Sequence, residues 1–248
     1  MVQYEVTIGV PVYQAKDYVR STMLSALGQT FASIEFLVVD DCGEDDTLEE
    51  IKCLQKEHSR GNQIRIIRNN NHEGVGYTRN RIIDNARGRY LYFLDSDDII
   101  EPDTIQLLYT HIKANKAEVV YASYEIIDKV NQSPTRVFQK PDLLFKEKGE
   151  LATFAFKNNS IFHVSVCNCL MDVSFLREIG LRFIDAMFWE DMAFTYELVT
   201  KVNRAVLLSD ITYHYLCRPG SLSHYQDRAQ LQKEEIMQNV STLNYLKG

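Results

Sequence analysis

The first half of the chain alternates short apolar segments with longer segments of helical periodicity. The apolar segments, rich in β-branched residues, are Val6–Val12, Ile34–Val39, Ile64–Ile67, Tyr90–Leu94 and Val119–Tyr121. Between them lie segments with apolar residues at helical spacing, Asp17–Leu27, Asp46–Lys56, Tyr77–Ala86 and Pro102–Asn115. Strands joined by helices in this order predict an α/β fold with a mostly parallel central sheet, flanked by helices on both faces.

The second half of the chain is less regular. Residues 125–160 are polar and predict a loop or a hairpin. A helix is predicted at Glu190–Val202, followed by strands at Ala205–Leu208 and Thr212–Leu216 and by a polar helix from about Asp227. No linker of the kind that separates independent domains interrupts the chain, so a single domain is predicted.

Composition narrows the possible partners. Lysine and arginine number 27 against 34 acidic residues, the net charge is -7, and no run of basic residues stands out. This charge argues against nucleic acid as a partner. The N-terminus is too short and polar for a signal peptide, and no window approaches the ~18 apolar residues of a spanning helix. We therefore expect a cytoplasmic protein without a transmembrane segment.

Carboxylates gather at the ends of two predicted strands. Asp40 and Asp41 follow the second strand, and Asp95, Asp97 and Asp98 follow the fourth. In open α/β sheets ligands bind beyond the carboxyl ends of the strands. Aspartates after a strand also cap helices, which is an adequate explanation for an isolated pair. Two unit charges ~5 Å apart repel by roughly 3 kcal/mol at an effective dielectric of 20, so a cation is expected in the larger group.

Asp-x-Asp in an oxygen-only environment suits a hard divalent cation, Mg²⁺ or Mn²⁺. Such an ion is typically held by one or two carboxylates, and water and substrate phosphates complete its shell. The metal would allow an acidic protein to bind an acidic ligand. A diphosphate, such as a nucleotide carries, is the natural candidate.

Several motifs in order resemble family 2 glycosyltransferases with the GT-A fold. They are "VPVY", "VVDDCGEDDT", "NNHEGVGYTRN" and "YLYFLDSDDIIEPD". The likeness is close over about residues 4–125 and looser over 185–225. It implies one GT-A domain over 1–225, with a nucleotide-binding half at 1–125 and a smaller, mixed acceptor-side half at 126–225. The helix at 226–248 ends abruptly, which suggests that the natural chain is longer.

The resemblance implies a nucleoside pocket at the ends of the first two strands. Pro11, Val12 and Tyr13 would surround the base. Asp41, with Asp40 beside it, would contact uracil or another base. As strand-end residues, the first three have an ordinary structural explanation too.

The resemblance also implies separate roles for the residues around the diphosphate. Arg79 would reach the nucleotide, and Asp95, with Ser96 beside it, would lie by the ribose. Asp97 would hold the metal that bridges the diphosphate, with Asp98 supporting or sharing. A bare arginine on a helix is otherwise a solvated surface residue.

"FWEDMAFTYELV" resembles the family's Glu-Asp motif at a helix start. It nominates Asp191 as the base that takes the acceptor proton and Glu190 as its neighbour. Acidic residues in a first helical turn are also favoured by the helix dipole alone. Trp189 stands directly before the pair, either as a stacking platform for an acceptor sugar or as a core residue.

"YHYLCRPGSLSHY" resembles the family's late segment that closes over the diphosphate. Arg218 and Ser221 are the candidate nucleotide-sugar contacts, and His224 is a candidate metal ligand, although a lone histidine is more often structural. His214, between two tyrosines on a predicted strand, is interpreted as a packing residue.

Two positions depart from the family pattern. Gln14 replaces the common asparagine after "VPVY", and Cys42 stands where glycine is usual in "DDGS". Neither change removes a charge that the chemistry needs. Gly43 is expected to make the turn instead.

The predicted function is an inverting, metal-dependent transfer of a sugar from a nucleoside diphosphate sugar, most simply a UDP-sugar. The acceptor would be a saccharide or a lipid-linked saccharide of a bacterial surface polysaccharide, which makes peripheral association with the inner face of the cytoplasmic membrane plausible. A non-catalytic sugar-nucleotide binder or scaffold of the same fold is the alternative. Aspartyl phosphatases also use Asp-x-Asp, but on the first strand rather than the fourth.

Overall fold

A computed structural model describes residues 4–128, 133–158, 165–186, 189–217 and 233–247. Its strands are β1 (Val6–Val12), β2 (Ile34–Asp40), β3 (Ile64–Arg68), β4 (Tyr90–Phe93), β5 (Ile99–Ile100), β6 (Val119–Asp128), β7 (Ser133–Phe138), β8 (Leu143–Phe145), β9 (Cys169–Asp172) and β10 (Ala205–Cys217). The strands predicted in the first half all form. The first four end within a residue or so of their predicted ends, whereas β6 continues to Asp128, well beyond the predicted end at Tyr121.

The α-helices are α1 (Lys16–Leu27), α2 (Thr47–Glu57), α3 (Val75–Asn85), α4 (Thr104–Asn115), α5 (Glu150–Lys157), α6 (Val173–Glu178), α7 (Glu190–Lys201) and α8 (Lys233–Lys247). The four helices predicted in the first half and the one after Trp189 are confirmed. In the described part of the chain, no helix has both the length and the apolar character needed to cross a bilayer.

The strands form one sheet in the order β3-β2-β1-β4-β9-β6-β10-β5, with β7 beside β6 and β8 beside β10. The ladders that join β3, β2, β1 and β4 are parallel, and so is the long ladder between β6 and β10. The remaining ladders, including both sides of β9, are antiparallel. The mostly parallel sheet of the prediction is confirmed.

Helices cover both faces of this sheet, as predicted. Val38 packs in a core with Met23 of α1 and Ile105 of α4. Its neighbour Val39 points to the opposite face, into a core that holds Ile82 of α3 and further side chains of α5, α6 and α7. Because both faces of β1 and β2 are buried, these strands are continuous apolar runs instead of alternating ones.

The second half departs from the prediction in several places, and helix α6 and strand β8 were not predicted. β9, a four-residue strand, lies antiparallel between β4 and β6 and was missed, because so short an apolar run carries little periodicity. The predicted loop at 125–160 contains the β6–β7 hairpin but also helix α5. The two strands predicted after α7 are one strand, β10, with irregular register between Leu207 and Tyr213.

Candidate functional site

The carboxyl ends of β1, β2 and β4 lie side by side at one edge of the sheet, because the three strands are parallel neighbours. Each end is followed by residues that the sequence nominated: Tyr13, then Asp41, then the acidic loop of residues 95–98. Helix α3 begins at the same edge, since the backbone N–H of Gly74 donates to Asp41 at 2.8 Å. The predicted nucleotide site is therefore brought together in space.

Asp41 is buried and held by a dense set of donors. Its Oδ1 accepts from Asn69 Nδ2 at 2.6 Å and from the Glu73 N–H at 2.9 Å, and its Oδ2 accepts from the Gly74 N–H. His72 Nδ1 lies 2.8 Å from Oδ2. Backbone N–H groups at a helix start favour an anion. Asn69 and His72 were missed by sequence reasoning, although three asparagines after β3 were a signal.

Two glycines of the "GVG" motif fix the start of α3. Gly74 has φ +91°, a conformation that strains other residues, and its N–H is aimed at Asp41. A Cβ on Gly76 would lie 2.7 Å from the carbonyl oxygen of Ile184. The motif therefore allows α3 to approach both Asp41 and the chain before α7.

Asp40 faces away from the open edge. Its Oδ1 accepts from the Gly43 N–H at 3.2 Å, and its Oδ2 lies 3.0 Å from Arg68 Nε. Burial raises the pKa of Asp40 above its usual value. Cys42 itself takes the left-handed conformation, φ +63°, so the expectation that Gly43 makes this turn was wrong. Asp40 shapes the loop instead of lining the site.

Of the three residues proposed around the base, Tyr13 is exposed, whereas Pro11 and Val12 are buried in β1. Val12 belongs to the core shared with α1. The ring of Tyr13 stacks on the ring of His72, with 4.0 Å between centroids and 20° between planes. Of these three residues, Tyr13 is therefore the one with an aromatic face on which a base could stack.

Arg79 lies at the centre of a buried ionic network. Its Nη2 is 2.8 Å from Asp95 Oδ1, and its Nη1 is 2.6 Å from Glu190 Oε1. Burial alone would lower the pKa of Arg79, but the two carboxylates raise it above the ordinary arginine value. The guanidinium also lies 5.5 Å above the ring of Phe183. Arg79 is therefore a buried connection between α3, the acidic loop and α7, and the alternative of a solvated surface arginine was wrong.

Cys167 completes this network on the far side of Asp95. Its thiol donates to Asp95 Oδ2 at 3.0 Å. Burial, followed by the charge of Asp95, raises the pKa of the Cys167 thiol well above its usual value, which keeps the donor proton in place. Both oxygens of Asp95 therefore have fixed partners. Cys167 was not placed in the site from the sequence.

Glu190 and Asp191 open helix α7, as predicted, but in different environments. Glu190 is buried against Arg79, and burial followed by the charge of Asp191 raises its pKa to about 7. Asp191 is partly exposed, and its Oδ1 accepts from the Met192 N–H at 2.7 Å. Burial raises the pKa of Asp191 also. Trp189, half-buried, precedes them with φ +65°, which is a strained conformation for a bulky residue.

The acidic loop places its last two aspartates differently. Asp97 and Ser96 are partly exposed. Asp98 is buried: its Oδ2 accepts from the Tyr213 hydroxyl at 2.5 Å and its Oδ1 from the Leu216 N–H at 2.9 Å. Burial raises the pKa of Asp98 well above its usual range. Asp98 thus binds the loop to β10, and this geometry does not favour the predicted role as a metal ligand.

The described side chains at this edge could supply only part of the coordination shell of a metal ion, so substrate phosphates and water would supply the rest. Among the residues the structure describes, no group of three or more His, Cys, Asp or Glu side chains could hold a metal ion. With Asp98 turned to β10, the carboxylate of Asp97 is the candidate ligand. Mg²⁺ is commonly bound by one or two carboxylates together with substrate phosphates. Arg218, Ser221 and His224 lie outside the described residues.

His214, interpreted as a packing residue, bridges two carboxylates. Its Nε2 lies 2.7 Å from Glu101 Oε1, and its Nδ1 lies 2.9 Å from Glu125 Oε1. A carboxylate oxygen can accept a hydrogen bond from a ring N–H in either contact. The histidine joins β10 to the chain after the acidic loop and to β6.

Comparison with known proteins decides the family. The family model for glycosyl transferase family 2 matches residues 7–180. The chain belongs to this family. It is 33% identical over 195 residues to an uncharacterized glycosyltransferase of Rickettsia typhi, covering 77% of this chain and 56% of that one. The chain thus spans little more than half of that relative's length.

Other relatives extend the comparison. The Escherichia coli protein WfaP, a UDP-Glc:alpha-D-GlcNAc-diphosphoundecaprenol beta-1,3-glucosyltransferase, is 25% identical over 235 residues, 95% of this chain and 86% of its own. The crystal structure of Staphylococcus aureus TarS 1–349 with UDP-GlcNAc superposes with a TM-score of 0.78 at 19% identity, covering 97% of this family member and 66% of the TarS chain. The GT-A fold predicted from sequence is confirmed.

Proposed function

We propose that this glycosyltransferase moves a sugar from a UDP-sugar to an acceptor hydroxyl with inversion at the anomeric carbon, using Mg²⁺ or Mn²⁺. Family and fold support a transferase. The UDP-sugar in the proposal takes support from the names of two relatives, WfaP and the UDP-GlcNAc complex of TarS. The residues of the site supply the remaining steps.

One observation carries the proposal: a single buried guanidinium binds the acidic loop and the start of α7 together. Arg79 contacts Asp95 on the side proposed for the donor and Glu190 on the side proposed for the acceptor. A displacement reaction needs its leaving group and its base in fixed relative positions. We therefore assign Arg79 as a positioning residue between the two halves.

The nucleoside would be bound by Asp41 and Tyr13. Uracil offers a flat ring and an imide N–H, which match an aromatic face and a carboxylate acceptor. Three protein donors already orient Asp41, from Asn69, Glu73 and Gly74, so its position does not depend on the ligand. Asp95, held by Arg79 and Cys167, would face the ribose.

The diphosphate would be bound next to Asp97. Asp97 would hold Mg²⁺ or Mn²⁺ here, and such an ion would supply positive charge that stabilises the diphosphate leaving group. Asp98 contributes by holding the loop against β10, through Tyr213 and Leu216. Arg218, Ser221 and His224 stay predictions for this part of the site.

Asp191 would be the base. Its carboxylate takes the proton of the acceptor hydroxyl, the hydroxyl oxygen bonds to the anomeric carbon, and the bond from that carbon to the diphosphate oxygen breaks, which releases UDP. A single displacement of this kind inverts the anomeric configuration. Burial and the nearby Asp95 raise the pKa of Asp191, which makes it a stronger base than an ordinary aspartate.

The acceptor is proposed to be a saccharide carried on a lipid diphosphate, by analogy with the name of WfaP. Synthesis of a bacterial surface polysaccharide on such a carrier would bring the protein to the inner face of the cytoplasmic membrane.

The test is a screen of UDP-sugars for hydrolysis and for transfer to saccharide acceptors, with Mg²⁺, Mn²⁺ or EDTA. We expect metal-dependent turnover that Asp97→Asn abolishes and that Asp210→Asn, a change at an exposed position of β10, leaves intact. The anomeric configuration of the product by NMR reports inversion. Nucleotide binding without turnover across the panel would show a binding protein instead.

A further inference from the structure

His72 occupies the two contacts that the proposed nucleobase needs. Its ring stacks on Tyr13 at 4.0 Å, and its Nδ1 lies 2.8 Å from Asp41 Oδ2. An imidazole and a uracil share the relevant chemistry, because each offers a flat ring and an N–H. A nucleobase therefore cannot stack on this face of Tyr13 and bind Asp41 Oδ2 while the His72 ring is in this position.

The spacing leaves no room for a base between the two rings. The centroids of Tyr13 and His72 are 4.0 Å apart, and a ring inserted between them would need about 4.5 Å or more to each neighbour, which is roughly twice the observed separation in total. A base can stack on this face of Tyr13 only after His72 has moved. The side chain of His72 is 54% exposed and stands among exposed residues, so solvent is available to receive it.

The remainder of the pocket does not depend on His72. Asp41 keeps its hydrogen bonds from Asn69 and from the backbone of Glu73 and Gly74 when the imidazole leaves. The departing ring therefore exposes a carboxylate that is already oriented. His72 can therefore leave without removing the hydrogen bonds that hold Asp41, whereas loss of a residue with a structural role would leave Asp41 without donors.

We propose that His72 is an internal competitor of the nucleobase, which covers Tyr13 and Asp41 in the empty enzyme and is displaced when the nucleotide binds. The inference rests on the proposed nucleotide function and adds a residue that sets nucleotide affinity. Displacement costs the stack and the contact with Asp41, so His72 weakens binding.

The experiment measures binding of uridine and of UDP with Mg²⁺ to the full chain, by calorimetry or NMR titration. His72→Ala is expected to bind both ligands more tightly, by about fivefold, which corresponds to about 1 kcal/mol. His72→Asn keeps an N–H donor for Asp41 without the ring that stacks on Tyr13, so its gain in affinity should be smaller. His111→Ala, on α4, is the matched control, and melting curves confirm folding.

Uridine separates competition from electrostatics. Removing a cation near the diphosphate would weaken UDP binding and leave uridine binding unchanged, whereas removing a competitor strengthens both. Equal or weaker binding by His72→Ala would overturn the inference and leave the proposed function intact. If neither the folded wild type nor the variant binds uridine or UDP, the nucleotide proposal fails and this inference fails with it.

Discussion

Arg79 binds Asp95 at 2.8 Å through one guanidinium nitrogen and Glu190 at 2.6 Å through another, although one carboxylate belongs to the acidic loop and the other to helix α7. Arg79 is itself 5% exposed. Charges taken out of water are stable only when they are paired, so each member of this network depends on the others. The stability of the domain and the geometry of its site therefore rest on the same guanidinium.

Replacing Arg79 should destabilise the protein strongly. Arg79→Met leaves the carboxylates of Asp95 and Glu190 without their cation, and breaking a buried pair costs about 3–5 kcal/mol. Urea unfolding measures the loss. Arg182→Met is the control, because it breaks a half-exposed pair with Asp84 that should be worth under about 1 kcal/mol. Similar losses for the two variants would show that the network is not stabilising.

Glu190 should make stability depend on pH. Burial raises its pKa from 4.5 to about 7, so between these pH values the folded protein holds a proton that the unfolded chain has released. Its stabilising contribution is complete below about pH 4.5 and is lost as pH rises through about 7. Glu190→Gln removes this titration. Urea unfolding from pH 5 to pH 8 should show the free energy of unfolding falling more steeply with pH for wild type than for the variant. Parallel curves would contradict the prediction.

Asp191 should matter for the rate and not for the nucleotide. Asp191→Asn removes the proposed base, and loss of a general base typically lowers turnover about 10²–10⁴-fold. UDP affinity should stay within about twofold of wild type, because Asp191 lies on the proposed acceptor side. Steady-state kinetics and calorimetry test the two statements. Asp185→Asn, an exposed change in the preceding loop, should leave both quantities unaltered. Weakened UDP binding in Asp191→Asn would move this residue to the donor side.

Substitutions that test Asp97 and Asp98 should have different effects, on activity for Asp97 and on stability for Asp98. Asp97→Asn is expected to abolish metal-dependent turnover with little change in unfolding free energy, because its side chain is partly exposed. Its effect should be seen as loss of activation when Mg²⁺ or Mn²⁺ is titrated. Retained activation would remove Asp97 as the ligand.

Tyr213→Phe should act on the same loop from the opposite side. Losing the hydroxyl that donates to Asp98 leaves one oxygen of a buried carboxyl without a donor, which costs about 1–3 kcal/mol. Thermal or urea unfolding measures this loss, and the metal concentration for half-maximal activity should be unchanged. A shifted metal requirement would indicate that Asp98 is a ligand after all.

The first half of the fold could be predicted from sequence because each strand of β1 to β4 is apolar on both faces and each helix between them is amphipathic. The same regularity located Asp41 and the acidic loop, since parallel strands end at one edge. β9 could not be predicted, because four residues are too few to show a periodic pattern. Its position between β4 and β6 depends on pairing with strands that are distant in sequence.

Side-chain partners were harder to predict than positions. Nothing local indicates that Arg79 is buried, since its partners lie 16 and 111 residues away along the chain. The contact between His72 and Tyr13 likewise joins two loops. Asp98 differs from Asp97 through Tyr213 and Leu216, which belong to a strand more than a hundred residues later.

The strand β10 has a mechanical consequence. Tyr213 and Leu216 bind Asp98, and His214 binds Glu101, so three of its residues are fastened to the segment that begins with the acidic loop. The same strand runs directly into the chain after Cys217, where the late motif lies. Asp98 and Glu101 are therefore held by one and the same strand, so any displacement of β10 would change the positions of both carboxylates together.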